Sequence, residues 1–395
     1  METILQHPLF APLVITAAII AVFPLLAGYI VLVERKVLAD IQVRLGPMRV
    51  GPHGVLQPLA DALKLLLKED IIPTESDRAL FWLAPVIPAV TALTAFAVLP
   101  FSSNVVVTDV NVGLLLISAM SAVGILGIII GGWSSNSHYS LLGALRSSAQ
   151  LISYEVALSL GLIAGVMSAG SLSMLKIVEA QKDRGVWFVF DNYGLMIVPF
   201  MVFLIAAIAE TNRAPFDLPE AESELVAGFM TEYSGFRWAL YFLAEYASIF
   251  VIAGAGVTLF WGGWLRPFPN WAWLEIPLNY VFPVLLFVAS GLGTLMLAKK
   301  LQKYSAARAA FLALLGVGVA LLGLVFLVPM INVLIIGLFW FLLKVGLFVY
   351  FMIWIRGTFP RFRYDQLMNI GWKYLIPIAM GALLVNAVVG IATAR

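Results

Sequence analysis

Residues 210–234 read ETNRAPFDLPEAESELVAGFMTEYS, a polar, acid-rich stretch set between two apolar runs of membrane-spanning length. Six carboxylates, Glu210, Asp217, Glu220, Glu222, Glu224 and Glu232, fall within these 25 residues. At a membrane surface they repel one another, so some of them are expected to exchange protons near neutral pH. Pro215, Phe216, Pro219, Leu225, Phe229 and Tyr233 are interleaved with them. The segment therefore reads as a packed one with a task, not as a solvated loop.

The flanking runs set the class. Hydrophobic residues make up 62% of the 395 and charged residues 12%, against roughly 25% charged in soluble domains. Apolar stretches of about 20 residues recur, the length that a hydrocarbon layer of about 30 Å asks of a helix. The expected fold is an all-α polytopic membrane protein in a single integral domain, with about ten spans. They fall near 10–33, 79–100, 112–132, 150–170, 194–210, 240–262, 279–298, 308–329, 333–355 and 372–393. The first run is too long and too weakly flanked by basic residues for a cleaved signal peptide. There is no cysteine, so no iron–sulfur cluster, c-type haem or disulfide is expected in this chain. The three histidines, His7, His53 and His138, have no ligand spacing, and no protein-bound metal is expected. No glycine-rich nucleotide fingerprint is present, so NAD and ATP are not expected ligands, and nucleic acid is not an expected partner.

Charge orients the spans. Of the 24 Lys and Arg residues, 18 fall in one set of connections and five on the opposite side, with Lys344 alone inside a span. Basic connections favour the cytoplasm. That places both termini outside, with a loop at 34–78 and the acidic loop at 210–239 in the cytoplasm. Within the first loop, Leu56, Leu59, Ala60, Leu63, Leu66 and Leu67 recur at helical spacing, with Gln57, Asp61, Lys64 and Lys68 on the other face. Twelve residues, 56–67, are too few to span. This amphipathic helix lies along the membrane surface or packs on another subunit, and is interfacial either way. Before it, RLGPMRVGPHG makes a stiff, turned loop whose Arg44 and Arg49 are placed to meet lipid phosphate or an anionic partner, and membrane lipid is an expected partner of the chain.

Ionisable groups inside spans are costly and mark ion or proton routes. Glu155 stands about five residues into the fourth span, roughly 7–8 Å deep at 1.5 Å per residue. Glu245 has a similar depth in the sixth span, Glu210 ends the fifth, and Lys344 lies near the middle of the ninth. With Glu34 and Asp40 at the foot of the first span, the carboxylates are expected to form one acidic funnel beneath the loop.

Four segments carry a family resemblance. They are VERKVLADIQVRLGPMRVGPHGVLQPLADALKLLLKED (33–70), GGWSSNSHYSLLGALRSSAQLISYE (131–155), ETNRAPFDLPEAESELVAGFMTEYSG (210–235) and IWIRGTFPRFRYDQLMNIGWK (353–373). In this order they resemble the H-subunit family of bacterial proton-pumping NADH:quinone oxidoreductase, respiratory complex I. The resemblance implies the heel of a membrane arm in the bacterial inner membrane. Its expected partners are the peripheral subunits with the quinone headgroup site and terminal iron–sulfur cluster, and the small and antiporter-like membrane subunits. Quinone is implied as the substrate, with FMN and iron–sulfur clusters only in partner subunits. Carried over by position, Arg35, Lys36, Gln42, Arg44 and Asp61 frame a quinone tunnel between spans 10–33 and 240–262 and the surface helix. Glu155, Glu210, Asp217, Glu220, Glu222, Glu224, Glu232, Glu245 and Lys344 are implied in proton coupling.

The chain departs from the family pattern in three places. Family members usually have eight spans, and residues 279–329 read as an added helical pair. Met230 stands where many relatives carry Asn, and His138 where Lys is frequent. Two other readings share some features. A related subunit of a hydrogenase- or ferredoxin-linked complex shares the acidic motifs without using quinone. A stand-alone secondary transporter calls for internal repeats and broken helices at mid-membrane, and no repeat is present.

Overall fold

The computed structural model describes residues 10–217, 226–302 and 305–393. Among these residues the regular structure is helical, without strands, and nine helices are long and apolar enough to cross a membrane. A tenth, Ile197–Glu210, has 14 residues and so a length of about 21 Å at 1.5 Å per residue. It occupies the place of the expected fifth span and is shorter than the rest.

In chain order the α-helices begin with α1 (Phe10–Ile41), α2 (Gln57–Leu67), α3 (Arg78–Leu83), α4 (Val86–Phe96) and α5 (Gly113–Ser134). They continue with α6 (His138–Ala169), α7 (Met174–Arg184), α8 (Ile197–Glu210), α9 (Gly235–Phe260) and α10 (Phe282–Leu301). The last are α11 (Ala306–Leu324), α12 (Pro329–Thr358), α13 (Tyr364–Asn369) and α14 (Ile376–Thr393).

The centre of the bundle is α9, whose residues from Ile249 to Phe260 are all buried. Lipid is as apolar as leucine, so helices associate through close packing over small residues. Ala253, Gly254, Ala255 and Gly256 supply that surface, and a Cβ on Gly256 would stand 2.4 Å from the Phe203 ring of α8. One cluster of buried apolar side chains runs from Phe23 on α1 to Ala379 on α14. A smaller one, around Phe81, Phe229, Tyr233 and Tyr241, seats the end of the acidic segment.

Two helices extend beyond their expected spans. α1 runs on to Ile41, not 33, so Glu34, Arg35 and Lys36 are helical. α6 begins at His138, not near 150, so Glu155 stands in the middle of a 32-residue helix. Ser140, Ser147, Ser148 and Gln150 lower the hydropathy of its first half, yet all four are buried against protein.

The added pair forms a tight hairpin of α10 and α11, where a Cβ on Gly291 would meet the Gly316 carbonyl oxygen at 2.7 Å. One end is fastened to the start of α12. Asn332 Nδ2 donates to the carbonyls of Asn279 (2.9 Å) and Phe326 (2.7 Å), and Trp340 stacks on Phe282 at 5.5 Å. At the other end α11 packs against the turn Pro52–Gly54.

Candidate functional site

The surface helix folds back along α1. A Cβ on Gly28 would touch Pro58 at 3.0 Å, and Arg35 Nη1 pairs with Asp61 at 2.8 Å. Gln57 also donates to Asp61, at 2.9 Å. None of the residues of α2 is buried, and Leu59, Leu63 and Leu66 turn outward. Lys36 Nζ donates to the His53 carbonyl at 2.6 Å, and Arg44 Nε to Gln42 Oε1 at 2.7 Å. The five residues assigned to the tunnel therefore share one face of the molecule. Burial, with the nearby Lys36 charge, holds the His53 imidazole below its ordinary pKa.

Behind Arg35, Glu34 turns inward and is buried. Its Oε1 accepts from Arg213 (3.1 Å) and from Arg356, and its Oε2 accepts the Tyr246 hydroxyl at 2.6 Å. The Arg213 guanidinium also lies over the Tyr246 ring, 4.5 Å from its centroid. A buried carboxylate needs such donors, because desolvation alone costs several kcal/mol per ion. Four separate elements thus meet on one side chain. Asp40, by contrast, is exposed and stands outside this cluster.

Two cavities flank the cluster. The larger, about 340 Å³, is lined by Glu34, Arg35, Arg213, Trp238, Glu245 and Arg356 among others. The smaller, about 100 Å³, lies deeper and is lined by Ser121, Glu210, Asn212, Tyr241, Glu245 and Ser248 among others. Glu245 belongs to both walls. Glu210 is buried, and Ser121 Oγ donates to its Oε1 at 2.6 Å. Glu155, half-buried on α6, is close enough to Glu210 to interact with it electrostatically. The expected funnel thus takes in Glu34, Glu155, Glu210 and Glu245, but arginines neutralise its outer part.

The described part of the acidic segment is packed. Gln150 Nε2 reaches the carbonyls of Ala209 (2.9 Å) and Phe216 (2.9 Å) and Asn212 Oδ1 (3.4 Å). Asp217 is buried and pairs with Arg361 at 3.0 Å, while the Phe362 amide donates to the Pro215 carbonyl at 3.1 Å. The third and fourth motifs are therefore joined. Tyr233 stacks on Phe81 at 4.1 Å, and burial there raises its phenol above the ordinary pKa. Glu232, its neighbour, is half-buried. Glu220, Glu222 and Glu224 lie outside the described residues.

Lys344 is not brought to this cluster. Its buried Nζ donates to the Trp261 (2.7 Å) and Leu265 (2.8 Å) carbonyls at the far end of α9. A cation at a helix C-terminus satisfies carbonyls that the helix leaves open. Twelve residues of α12 separate it from Arg356, a rise of about 18 Å.

The residue roles first visible in the structure are those of Gln150, Arg213, Tyr246 and Arg356. The rule that a buried carboxylate needs a partner points from Glu34 toward arginines at other span ends, without choosing among them. Among the described residues, no group of three or more His, Asp or Glu is placed to hold a metal ion.

A helical bundle whose buried carboxylates join two internal cavities defines a multi-pass membrane protein with an ionisable interior. A family model described as NADH dehydrogenase matches residues 13–387. A relative from Solibacter usitatus, form 2 of the H-subunit of NADH-quinone oxidoreductase, is 69% identical over 392 residues, covering 99% of each chain. Form 1 of the same H-subunit from Koribacter versatilis is 49% identical over 395 residues, covering 96% of this chain and 92% of the relative. The H-subunit from Rickettsia prowazekii is 43% identical over 385 residues, covering 96% of this chain and 95% of the relative. The chain belongs to the NADH dehydrogenase family, in agreement with the resemblance its four motifs carry.

Proposed function

We propose that the chain is the membrane-arm heel subunit of a proton-translocating NADH:quinone oxidoreductase, in which it forms quinone access and the first part of the coupling path. The observation that carries this reading is the position of Glu245 in the wall between the two cavities. One cavity opens beside Arg35 and the Glu34 cluster, and the other ends at Glu210. Arg35, Lys36, Gln42, Arg44 and Asp61 frame the path of the quinone, whose isoprenoid tail suits the apolar faces of α1 and α9. NADH oxidation, FMN and iron–sulfur chemistry belong to partner subunits, and both termini lie outside the bacterial inner membrane.

Quinone reduction calls for two protons near the arginine-lined cavity. A charge appearing there moves the proton affinity of Glu245, each pKa unit corresponding to about 1.4 kcal/mol. Glu245 then exchanges with the deeper carboxylates Glu210 and Glu155. Asp217, Glu220, Glu222, Glu224 and Glu232 supply the segment above, and Lys344 lies toward the far face.

The test is paired, in the assembled complex. Glu245→Gln and Glu155→Gln each remove a titratable group while nearly keeping shape. Both are expected to depress quinone-linked NADH oxidation and proton uptake together in inverted vesicles, while oxidation by an artificial acceptor upstream survives. Normal rates and normal pumping in both variants, at normal complex content on a native gel, would overturn the reading.

A further inference from the structure

Helix α11 of the added hairpin meets the Pro52–Gly54 turn before the surface helix, and both segments are basic and poor in acids. No Asp or Glu occurs from 276 to 364 or from 41 to 60. Lys299, Lys300 and Arg308 are exposed at the hairpin turn, and Arg49 is exposed on the loop. Among the described residues, none of these four forms an ion pair within 4.0 Å. Some basic residues on this face are compensated, Arg35 by Asp61, Arg237 by Asp70, Arg361 by Asp217 and Arg363 by Asp365, and what distinguishes the hairpin residues is the absence of any acid in the sequence around them.

The contact of α11 with Pro52–Gly54 must involve the first turns of α11, because its other end is fastened to α12 on the opposite face. Two acid-free basic segments, distant in sequence, are thereby set side by side. Just below the turn, Met296 and Leu314 are exposed on the outer sides of the two helices. A phosphate-reading rim over an exposed apolar flank matches one ligand shape, a headgroup with its acyl chains below. Lys and Arg suit this place because their aliphatic stems lie along the apolar surface while the charge reaches the headgroup level.

We propose that the last turn of α10, the first turn of α11 and the Pro52–Gly54 loop form a binding site for anionic phospholipid, with Lys299, Lys300 and Arg308 on the headgroup phosphate. The site joins the added hairpin through lipid to the loop that carries the surface helix. It concerns residues outside the cavities, so its outcome is independent of the coupling path.

The experiment uses the full-length chain in mixed micelles of phosphatidylglycerol and phosphatidylcholine, with retained lipid counted by native mass spectrometry. The wild-type chain is expected to retain phosphatidylglycerol preferentially. K299Q, K300Q and R308Q are each expected to lower that preference about fivefold at low ionic strength, from roughly 1 kcal/mol per basic residue near an anionic surface. The combined variant K299R/K300R/R308K is expected to keep it, and Lys182→Gln on the opposite face to leave it unchanged. Raising salt should erode the preference, as for any exposed charge contact. Equal retention of the two lipids by the wild-type chain would overturn the proposal, as would a preference that survives the three Gln substitutions together.

Discussion

Glu34 shows what a single side chain does in this molecule. It accepts two arginines and a tyrosine hydroxyl from three other elements, so its charge is the common partner of α1, α9, α12 and the segment after α8. Glu34→Gln keeps the shape and removes the charge, leaving Arg213 buried against a neutral amide. The expected cost is about 3 kcal/mol, the lower end for breaking a buried pair, because Arg356 is partly exposed and recovers solvation. Tyr246→Phe removes one hydrogen bond and is expected to cost about 1 kcal/mol. Thermal unfolding of the full chain in detergent compares the two, and equal shifts would show that the cluster is not held by charge. The acid at 34 is legible in the sequence as an ionisable group at the foot of a span. Its partners are not, since Arg213 lies 179 residues away and Arg356 lies 322 away. Nothing local distinguishes them from other arginines at span ends. Lys344 is the converse case: its depth is legible, whereas its use on the end of α9 depends on a turn that only the folded chain forms.

At the scale of elements, the sequence reads well where hydropathy is uniform and badly where polar residues face protein. The added hairpin is uniform, and α10 and α11 stand close to 279–298 and 308–329. α6 is not, and hydropathy misses its first turns because Ser140, Ser147, Ser148 and Gln150 look like a connection. Their burial explains this, since the helix reaches into a polar protein interior and not into lipid. Gln150 is therefore expected to act on the element beside it. Gln150→Leu removes the amide that holds the carbonyls of Ala209 and Phe216, leaving two buried acceptors open at about 1–3 kcal/mol each. Protease cleavage within 211–217 should rise in this variant, and an unchanged cleavage pattern would show that the segment is held otherwise. The hairpin offers a sharper contrast. Gly291→Val would drive side-chain carbons toward the Gly316 carbonyl and Ala320, for an expected loss of about 1–3 kcal/mol. Gly318→Ala meets nothing within 4 Å and should stabilise by up to about 1 kcal/mol, the helix preference of Ala over Gly. A thermal shift of the same size and sign in both variants would mean that the seam is not tightly packed.

At the scale of the whole molecule, contacts sort the connections into two faces without any appeal to charge. Arg356 on Glu34, the Phe362 amide on Pro215 and the Asp77 amide on the Ser134 carbonyl tie together one set of helix ends. Asn192 on Asn386, the Leu114 amide on the Leu172 carbonyl and Asn332 on Asn279 tie together the other. The first face carries the surface helix and 18 of the 24 Lys and Arg residues, so two independent arguments divide the chain alike. The hairpin preserves this division because it adds two crossings, returning the chain to the face from which α12 starts. Basic residues near span ends favour the cytoplasm, and the proposed function accordingly takes the first face as cytoplasmic and both termini as external. Reporter fusions after Lys303 and after Arg363 should therefore both read cytoplasmic, and a fusion after Lys182 should read external. An external reading at Lys303 with a cytoplasmic one at Arg363 would mean that the hairpin does not cross as a pair. Opposite readings at all three positions would leave the fold standing and reverse its orientation. The surface helix, the arginine-lined cavity and any quinone path would then face away from the compartment in which NADH is oxidised, and the proposed function would fall with them.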